Sequence, residues 1–312
     1  MQTPYKHLFG PVPSRRLGRS LGVDLVPMKT CSIDCVFCQL GPSDATTLER
    51  KEYVPTADVL AELSAWIETD GAADCITLSG SGEPTLHTGF GDVLRFVKDH
   101  TDIQTVLLTN STLLHLPQIR KDAAEADVIK VSLSAWDQGS FEEINRPAKG
   151  LLFDQVIDGL MALRAEFEGQ IWMEIFLVPG INTLQEQIEK IAALAKKIRP
   201  DRIQLNTAVR PPAESFVQPV PETYMRELIN LFEPQAEIIA SFKPGESSRM
   251  ALTSENLLNL IARHPATVEQ IAQMTGHTIS EVAATIRTLG EALDKIEMRN
   301  EVYYQAKLSS QP

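Results

Sequence analysis

Short β-rich runs alternate with longer amphipathic stretches from about residue 21 to 240, the pattern left by βα units that build a parallel sheet. The runs LGVDLV (21–26), CITLSG (75–80), IQTVLLTN (103–110), VIKVSLS (128–134), IWMEIFLV (171–178) and RIQLNT (202–207) each predict a strand. Between them, TADVLAELSAWIETDG (56–71) and TLQEQIEKIAALAKKIRP (183–200) carry helical patterns, the second opening on Thr and stopping at Pro. Six units in about 220 residues fall short of the eight units, in about 250 residues, that close a full barrel. The expectation is an α/β fold built as a partial (β/α)6 TIM-like barrel, with a doubly wound open sheet as its competitor. Either architecture binds ligands at the carboxyl ends of its strands. Those ends are where this chain becomes polar and glycine-rich: SGSGEP, TNS, SLSAWD, VPGIN and LNT.

The pattern changes after Pro244. TSENLLNLIARHP, TVEQIAQMTG and TISEVAATIRTLGEAL read as three helices with Thr or Ser starts, and KIEMRNEVYYQAK reads as a closing hairpin. A small winged helix-turn-helix over residues 251–312 is expected, joined through a linker at 242–250, FKPGESSRM, to a core of 21–241 with an N-terminal extension at 1–20.

Composition narrows the function classes. An apolar content of 43% supports a large buried core. Runs such as IFLV at 175–178 fall far short of the roughly 20 residues a membrane helix needs. The start, MQTPYKHLFGPVPSRR, does not read as a secretory signal, so a cytoplasmic protein is expected. A net charge of −12 disfavours polyanions except at a local basic patch, for which Arg15, Arg16 and Arg19 are candidates.

The cysteines change the picture most. Cys31, Cys35 and Cys38 form C-x3-C-x2-C just after the first predicted strand, and only Cys75 lies elsewhere. Four thiols in a chain this long are too few for a disulfide framework, and clustered thiols in a reducing compartment more often hold metal. Zinc would need a fourth ligand, for which His7 and His87 are conceivable. A [4Fe-4S] cluster on three thiolates would instead leave one iron open to a non-protein ligand.

The segment CSIDCVFC, with an aromatic residue just before the third cysteine, resembles the cluster loop of the radical S-adenosylmethionine (SAM) superfamily. That resemblance implies one [4Fe-4S] cluster on Cys31, Cys35 and Cys38, whose open iron is chelated by SAM's amino and carboxylate groups. It also implies an electron from a reducing partner such as a flavodoxin or ferredoxin. Reductive cleavage of SAM would give a 5'-deoxyadenosyl radical that takes a hydrogen atom from the substrate. By the same likeness, Gly80, Ser81, Gly82 and Glu83 of SGSGEP would meet SAM's ammonium group, and Ser132 and Ser134 its carboxylate or ribose. Asn110, Glu174 and Asn206, at or near strand ends, are further candidates, and Phe37 with the region of Val178 and Pro179 would border the adenine. Read without the likeness, SGSGEP is a turn and each of these polar residues a loop hydrogen-bonder.

A narrower resemblance, in GPVPSRRLGRSLGVDLVPMKTCSIDCVFCQLG and LSGSGEPTL, is to proteins related to the synthase of the tricyclic wyosine base of tRNA. That synthase carries a second cluster on three further cysteines. Here only Cys75 remains, inside an apolar strand, so a second cluster and the full wyosine chemistry are not expected. The arginines and RPPAES (210–215) suit an anionic substrate, whether a nucleotide, tRNA or a carboxylate, and INRP (144–147) is either a cavity cap or a helix stop. A DNA-binding regulator is the second function class. Its recognition helix at 280–293 would carry one Arg against Glu281 and Glu291, and residues 246–312 hold six Lys or Arg against eight Asp or Glu, so DNA is not expected as a partner.

Overall fold

The computed structural model describes residues 5–14, 17–69, 71–239, 252–263 and 265–307. The 242–250 linker, Arg15 and Arg16 lie outside the described residues. In chain order the elements begin β1 (Leu8–Ser14), β2 (Gly18–Val23), α1 (Thr56–Thr69), β3 (Cys75–Leu78), α2 (Phe90–His100), β4 (Gln104–Leu108) and α3 (Pro117–Ala123). They continue β5 (Val128–Ser132), α4 (Gln138–Asn145), α5 (Phe153–Glu166), β6 (Gln170–Phe176), α6 (Gln185–Ile198), β7 (Arg202–Asn206), α7 (Glu222–Leu228) and β8 (Glu237–Ile238). The tail holds α8 (Ser254–Arg263), α9 (Val268–Thr275), α10 (Ile279–Leu289), β9 (Leu293–Met298) and β10 (Glu301–Ala306).

The large sheet runs β1 to β8 in strict sequence order. From β2 to β8 every neighbouring pair is parallel. A doubly wound sheet reverses its strand order at a switch point, and no reversal occurs here. The six expected strands correspond to β2 through β7: β2 lies three residues earlier than expected, and the other five are one to three residues shorter. Residues 8–14, expected within an extension, instead pair antiparallel with β2 as β1. Their alternation is broken by Gly10 and Pro11, and the register shifts between Phe9 and Val12, so pattern alone hides the strand.

Helices cover the sheet because their apolar residues recur at helical spacing. In α1, Val59, Leu63 and Trp66 form the buried face; in α6 it is Ile188, Ile191, Ala192, Ala195 and Ile198. Helix α6 ends at Arg199 in the left-handed conformation just before Pro200, a position where proline disfavours a further helical residue. Strand β3 is buried at all four positions, as expected of a parallel strand covered on both sides.

The tail has its own core of Leu257, Leu260, Ile261, Ile271, Val282 and neighbours. Helices α9 and α10 open on capping boxes at Thr267 and Thr278, the start signals visible in the sequence. Strands β9 and β10 pair antiparallel, and Tyr304 bridges to Ala266. Val12 of β1 packs into this core, joining the tail to the edge of the large sheet.

Candidate active site

The loop after β2 brings its three cysteines to one cavity of about 250 Å³ at the carboxyl ends of the strands. Backbone hydrogen bonds hold it on several sides. Thr30 N–H donates to Pro27 O (3.0 Å), Cys38 N–H to Cys35 O (3.0 Å) and Gly41 N–H to Cys38 O (3.1 Å). The end of α4 supplies the outer rail: Asp34 N–H donates to Asn145 O at 2.9 Å and Val36 N–H to Ile144 O at 3.0 Å. The 210–215 loop closes the far side, with Glu214 N–H donating to Val36 O (3.0 Å), Arg210 to Gln39 Oε1 (3.3 Å) and Arg146 to Glu214.

Two amides aim at the sulfurs. Asn145 Nδ2 lies 3.2 Å from Cys35 Sγ, and Asn110 Nδ2 lies 3.4 Å from Cys31 Sγ. Burial, aided by the negative charge of Glu83, pushes the Cys31 thiol up to about 12. Burial first, then the charges of Cys38 and Cys31, raise Cys35, and burial raises Cys38. The thiols are therefore protonated at neutral pH in the metal-free chain, and a metal must displace those protons to bind.

Gly82 lets the SGSGEP turn lie directly against the cysteine loop. A Cβ there would sit 1.9 Å from Thr30 O, and the next residue, Glu83, donates its N–H to that oxygen at 3.0 Å. Glu83 lines the cavity, but its carboxylate is engaged by the protein. Oε1 accepts from Thr85 N (3.1 Å), Thr85 Oγ1 (2.6 Å) and Thr109 Oγ1 (2.7 Å), and Oε2 from Asn110 N (2.7 Å). Burial pushes this carboxyl up, while those donors pull it back. It ties the ends of β3 and β4 together, in addition to whatever it offers a ligand.

Of the other expected site residues, Phe37, Asn110, Ser132 and Glu174 also line the cavity. Phe37 stacks on Phe176 with ring centroids 4.0 Å apart and packs with Val178. Four residues stand elsewhere. Gly80 and Ser81 face Asp24, whose carboxylate accepts both the Ser81 N–H and its hydroxyl. Ser134 does not share a strand face with Ser132, because β5 ends at Ser132; it is buried, and its hydroxyl accepts the Phe176 N–H at 2.9 Å. Asn206 is buried, with Oδ1 accepting from Thr207 N at 3.0 Å.

His87 is placed away from the cavity, with Nδ1 accepting from Gly89 N and Nε2 facing Val54 O. No histidine is among the lining residues, so neither histidine considered for zinc joins the thiols. Cys75 sits at the opposite, amino end of β3 among Val106, Val128 and Trp172. Arg19 pairs with Asp74.

Sequence reasoning missed Asn145 and Lys130. Lys130 lines the cavity and forms an ion pair with Glu174, the two side chains 5% and 18% exposed. Its signal was available: a single charge inside the apolar run VIKVSLS, where a buried lysine implies a partner. Asn145 lay within INRP, which ends α4 at a left-handed Arg146 before Pro147 and also borders the cavity.

Residues 25–206 match the sequence profile described as "Radical SAM superfamily". The chain belongs to the radical SAM superfamily. It is 38% identical over 213 residues to a UPF0026 protein of Synechocystis sp., covering 68% of this chain and 78% of that one. It is 34% identical over 293 residues to a Brachyspira hyodysenteriae protein named GTPase Obg, covering 92% of this chain but spanning only 43% of that relative's length. In fold it is similar to a structure of TYW1 with a lysine-pyruvate adduct bound, with a TM-score of 0.54 and 16% identity, covering 79% of this chain and 81% of the other.

A radical SAM enzyme implies an iron-sulfur cluster and SAM, and the residues present suit them. Three soft sulfur ligands line one cavity, although among the described residues they are not drawn together into a closed metal-binding group; amide N–H groups point at two of the sulfurs, and an apolar wall of Phe37, Phe176 and Val178 adjoins. Thiolates and N–H donors to sulfur are the surroundings in which such clusters are held and tuned.

Proposed function

We propose that this enzyme holds one [4Fe-4S] cluster on Cys31, Cys35 and Cys38 and cleaves SAM reductively so that a hydrogen atom is abstracted from its substrate. The observation that carries the reading is the donor set: three cysteines, with no fourth cysteine and no histidine, on a cavity wall that also presents backbone and polar groups at the strand ends. When bound, the reduced cluster supplies the electron that splits SAM's sulfonium C–S bond to a 5'-deoxyadenosyl radical. The chain's part is to bind, orient and shield. Asn145 and Asn110 steady the sulfur ligands, Gly82 and Glu83 fix the turn beside them, and Phe37 with Phe176 offers a flat apolar face. Lys130 and Glu174 present paired opposite charges to whatever occupies the inner cavity. A flavodoxin or ferredoxin is the reductant we propose.

A nucleotide or tRNA base as substrate, suggested by the basic residues, gains no support from Arg19 and Arg210, which are engaged within the chain. We read the tail as a winged helix from its three helices and hairpin. The DNA-regulator alternative is disfavoured by the superfamily match and by the acidic balance of the tail. Anaerobic reconstitution tests the proposal: about four irons per chain and formation of 5'-deoxyadenosine are expected, both lost in Cys35→Ala. Cleavage retained in that variant, or a tightly held zinc in protein purified without oxygen, would overturn it.

A further inference from the structure

The tail reaches the glycine-rich turn through one buried charge pair. Arg263, the last residue of α8, donates from Nε to Oδ2 of Asp24 at 2.9 Å, and its Nη2 lies 2.8 Å from the same oxygen as an ion pair. The two side chains are only 13% and 7% exposed. Asp24 is also the anchor of the turn: Oδ1 accepts the Ser81 N–H at 3.1 Å, and Oδ2 accepts the Ser81 hydroxyl. Gly80, at φ +121°, approaches so closely that a Cβ would lie 2.9 Å from Asp24 Cγ. One step further, Ser81 O accepts Lys29 N–H and Thr30 O accepts Glu83 N–H, in the stretch that leads into Cys31. Contacts thus run without a break from α8 through Asp24 and the turn to the cysteine loop.

Holding the tail in place does not by itself require this pair. Val12 packs into the tail's core, Arg299 donates to Ala208 O at 2.6 Å, and Tyr303 OH lies 3.4 Å from Val209 O. Arg263 is set apart by the carboxylate it neutralises. Its guanidinium is held on its own side by Asn259 O at 3.2 Å and lies 4.7 Å from the centre of the Phe9 ring, so it is a fixed donor. Without it, Asp24 would be a buried carboxylate with no cationic partner among the described residues, a state that is relieved by rearrangement or hydration. Each of these changes what Ser81 is bonded to.

We propose that Arg263, acting through Asp24, is a positioning residue for the 79–83 turn, so that the tail completes the SAM site as well as covering the sheet edge. The inference rests on the proposed function above. It is tested on the full chain with Arg263→Gln, with Arg263→Lys, which keeps the charge, and with Arg299→Ala, which removes a tail contact that bypasses Asp24. In metal-free protein, hydrogen exchange at residues 79–83 and 29–31 should rise about 3- to 30-fold in Arg263→Gln, less in Arg263→Lys and not in Arg299→Ala. In cluster-loaded protein the dissociation constant for SAM should rise in the same order and by a similar factor. Faster exchange confined to 252–307 in Arg263→Gln, or an equal loss of SAM affinity in Arg299→Ala, would overturn the proposal. Should Arg263→Gln fail to fold, Arg263→Lys carries the same comparison. If the unaltered protein binds no SAM, the proposed function fails, while the exchange measurement still decides whether Arg263 positions the turn.

Discussion

Replacing Gly82 by Ala probes the closest approach in the site. The added Cβ would lie 1.9 Å from Thr30 O, 2.7 Å from the Thr30 carbonyl carbon and 3.0 Å from Val26 Cγ2. Ordinary contact begins near 3.4 Å, so the turn and the cysteine loop must part by more than about 1 Å, because a backbone carbonyl cannot rotate away. Overpacking of this kind costs about 1–3 kcal/mol, and stretching the 3.0 Å bond from Glu83 N–H to Thr30 O forfeits about 0.5–1.5 kcal/mol. A loss of about 2–4 kcal/mol lowers the melting temperature of a unit this size by roughly 5–12 °C. The displacement falls immediately before Cys31, and a shift of about 1 Å can cost about 100-fold in rate. Thermal unfolding of the metal-free chain, iron content after reconstitution and the rate of 5'-deoxyadenosine formation measure the three effects. A Gly82→Ala protein with unchanged melting, full iron and full SAM cleavage would refute the idea that the turn and the cysteine loop are in obligatory contact.

Among the thiols, Cys31→Ala, Cys35→Ala and Cys38→Ala should each abolish iron retention, whereas Cys75→Ala should retain it; iron analysis after anaerobic reconstitution separates the two outcomes. Removing the amide of Asn145, 3.2 Å from Cys35 Sγ, in Asn145→Ala should leave more electron density on the sulfur and move the cluster potential to more negative values, read by a redox titration followed by electron paramagnetic resonance. Burial holds His87 below its ordinary value of 6.5, and its Nδ1 accepts a hydrogen bond that the protonated ring cannot accept. The folded chain then binds fewer protons than the unfolded one, so stability falls as pH drops below about 6.5. Urea midpoints from pH 7.5 to 5 should decline less steeply in His87→Gln, and identical slopes would count against this assignment.

Legibility in the sequence followed the physical origin of each feature. The six parallel strands were visible because residues such as Ile76, Leu78, Val106 and Ile129 are buried on both faces and leave near-continuous apolar runs. The tail helices were visible through Thr267 and Thr278, whose capping is local in sequence. Strand β1 was not, since Gly10 and Pro11 interrupt it and its partner is β2 rather than a helix-connected neighbour. The same contrast runs through the site. Cys31, Cys35 and Cys38 announce themselves by spacing, but the partners of Ser81 and Ser134 do not, because the carboxylate of Asp24 and the N–H of Phe176, which engage them, lie 57 and 42 residues away.

The sequence by itself determined the repeated βα pattern, the tail's helices and hairpin, and the three-thiol motif, all of which depend on side-chain type at short spacing. Tertiary structure alone decided that Glu83 is a hub for four donors, that Lys130 meets Glu174 across neighbouring strands, and that Arg263 reaches Asp24 from 239 residues away. Those contacts are satisfactions of buried polar groups, and a buried polar group takes whichever partner the fold brings within hydrogen-bond reach. Composition and periodicity record that a partner is needed; only the packed chain selects it.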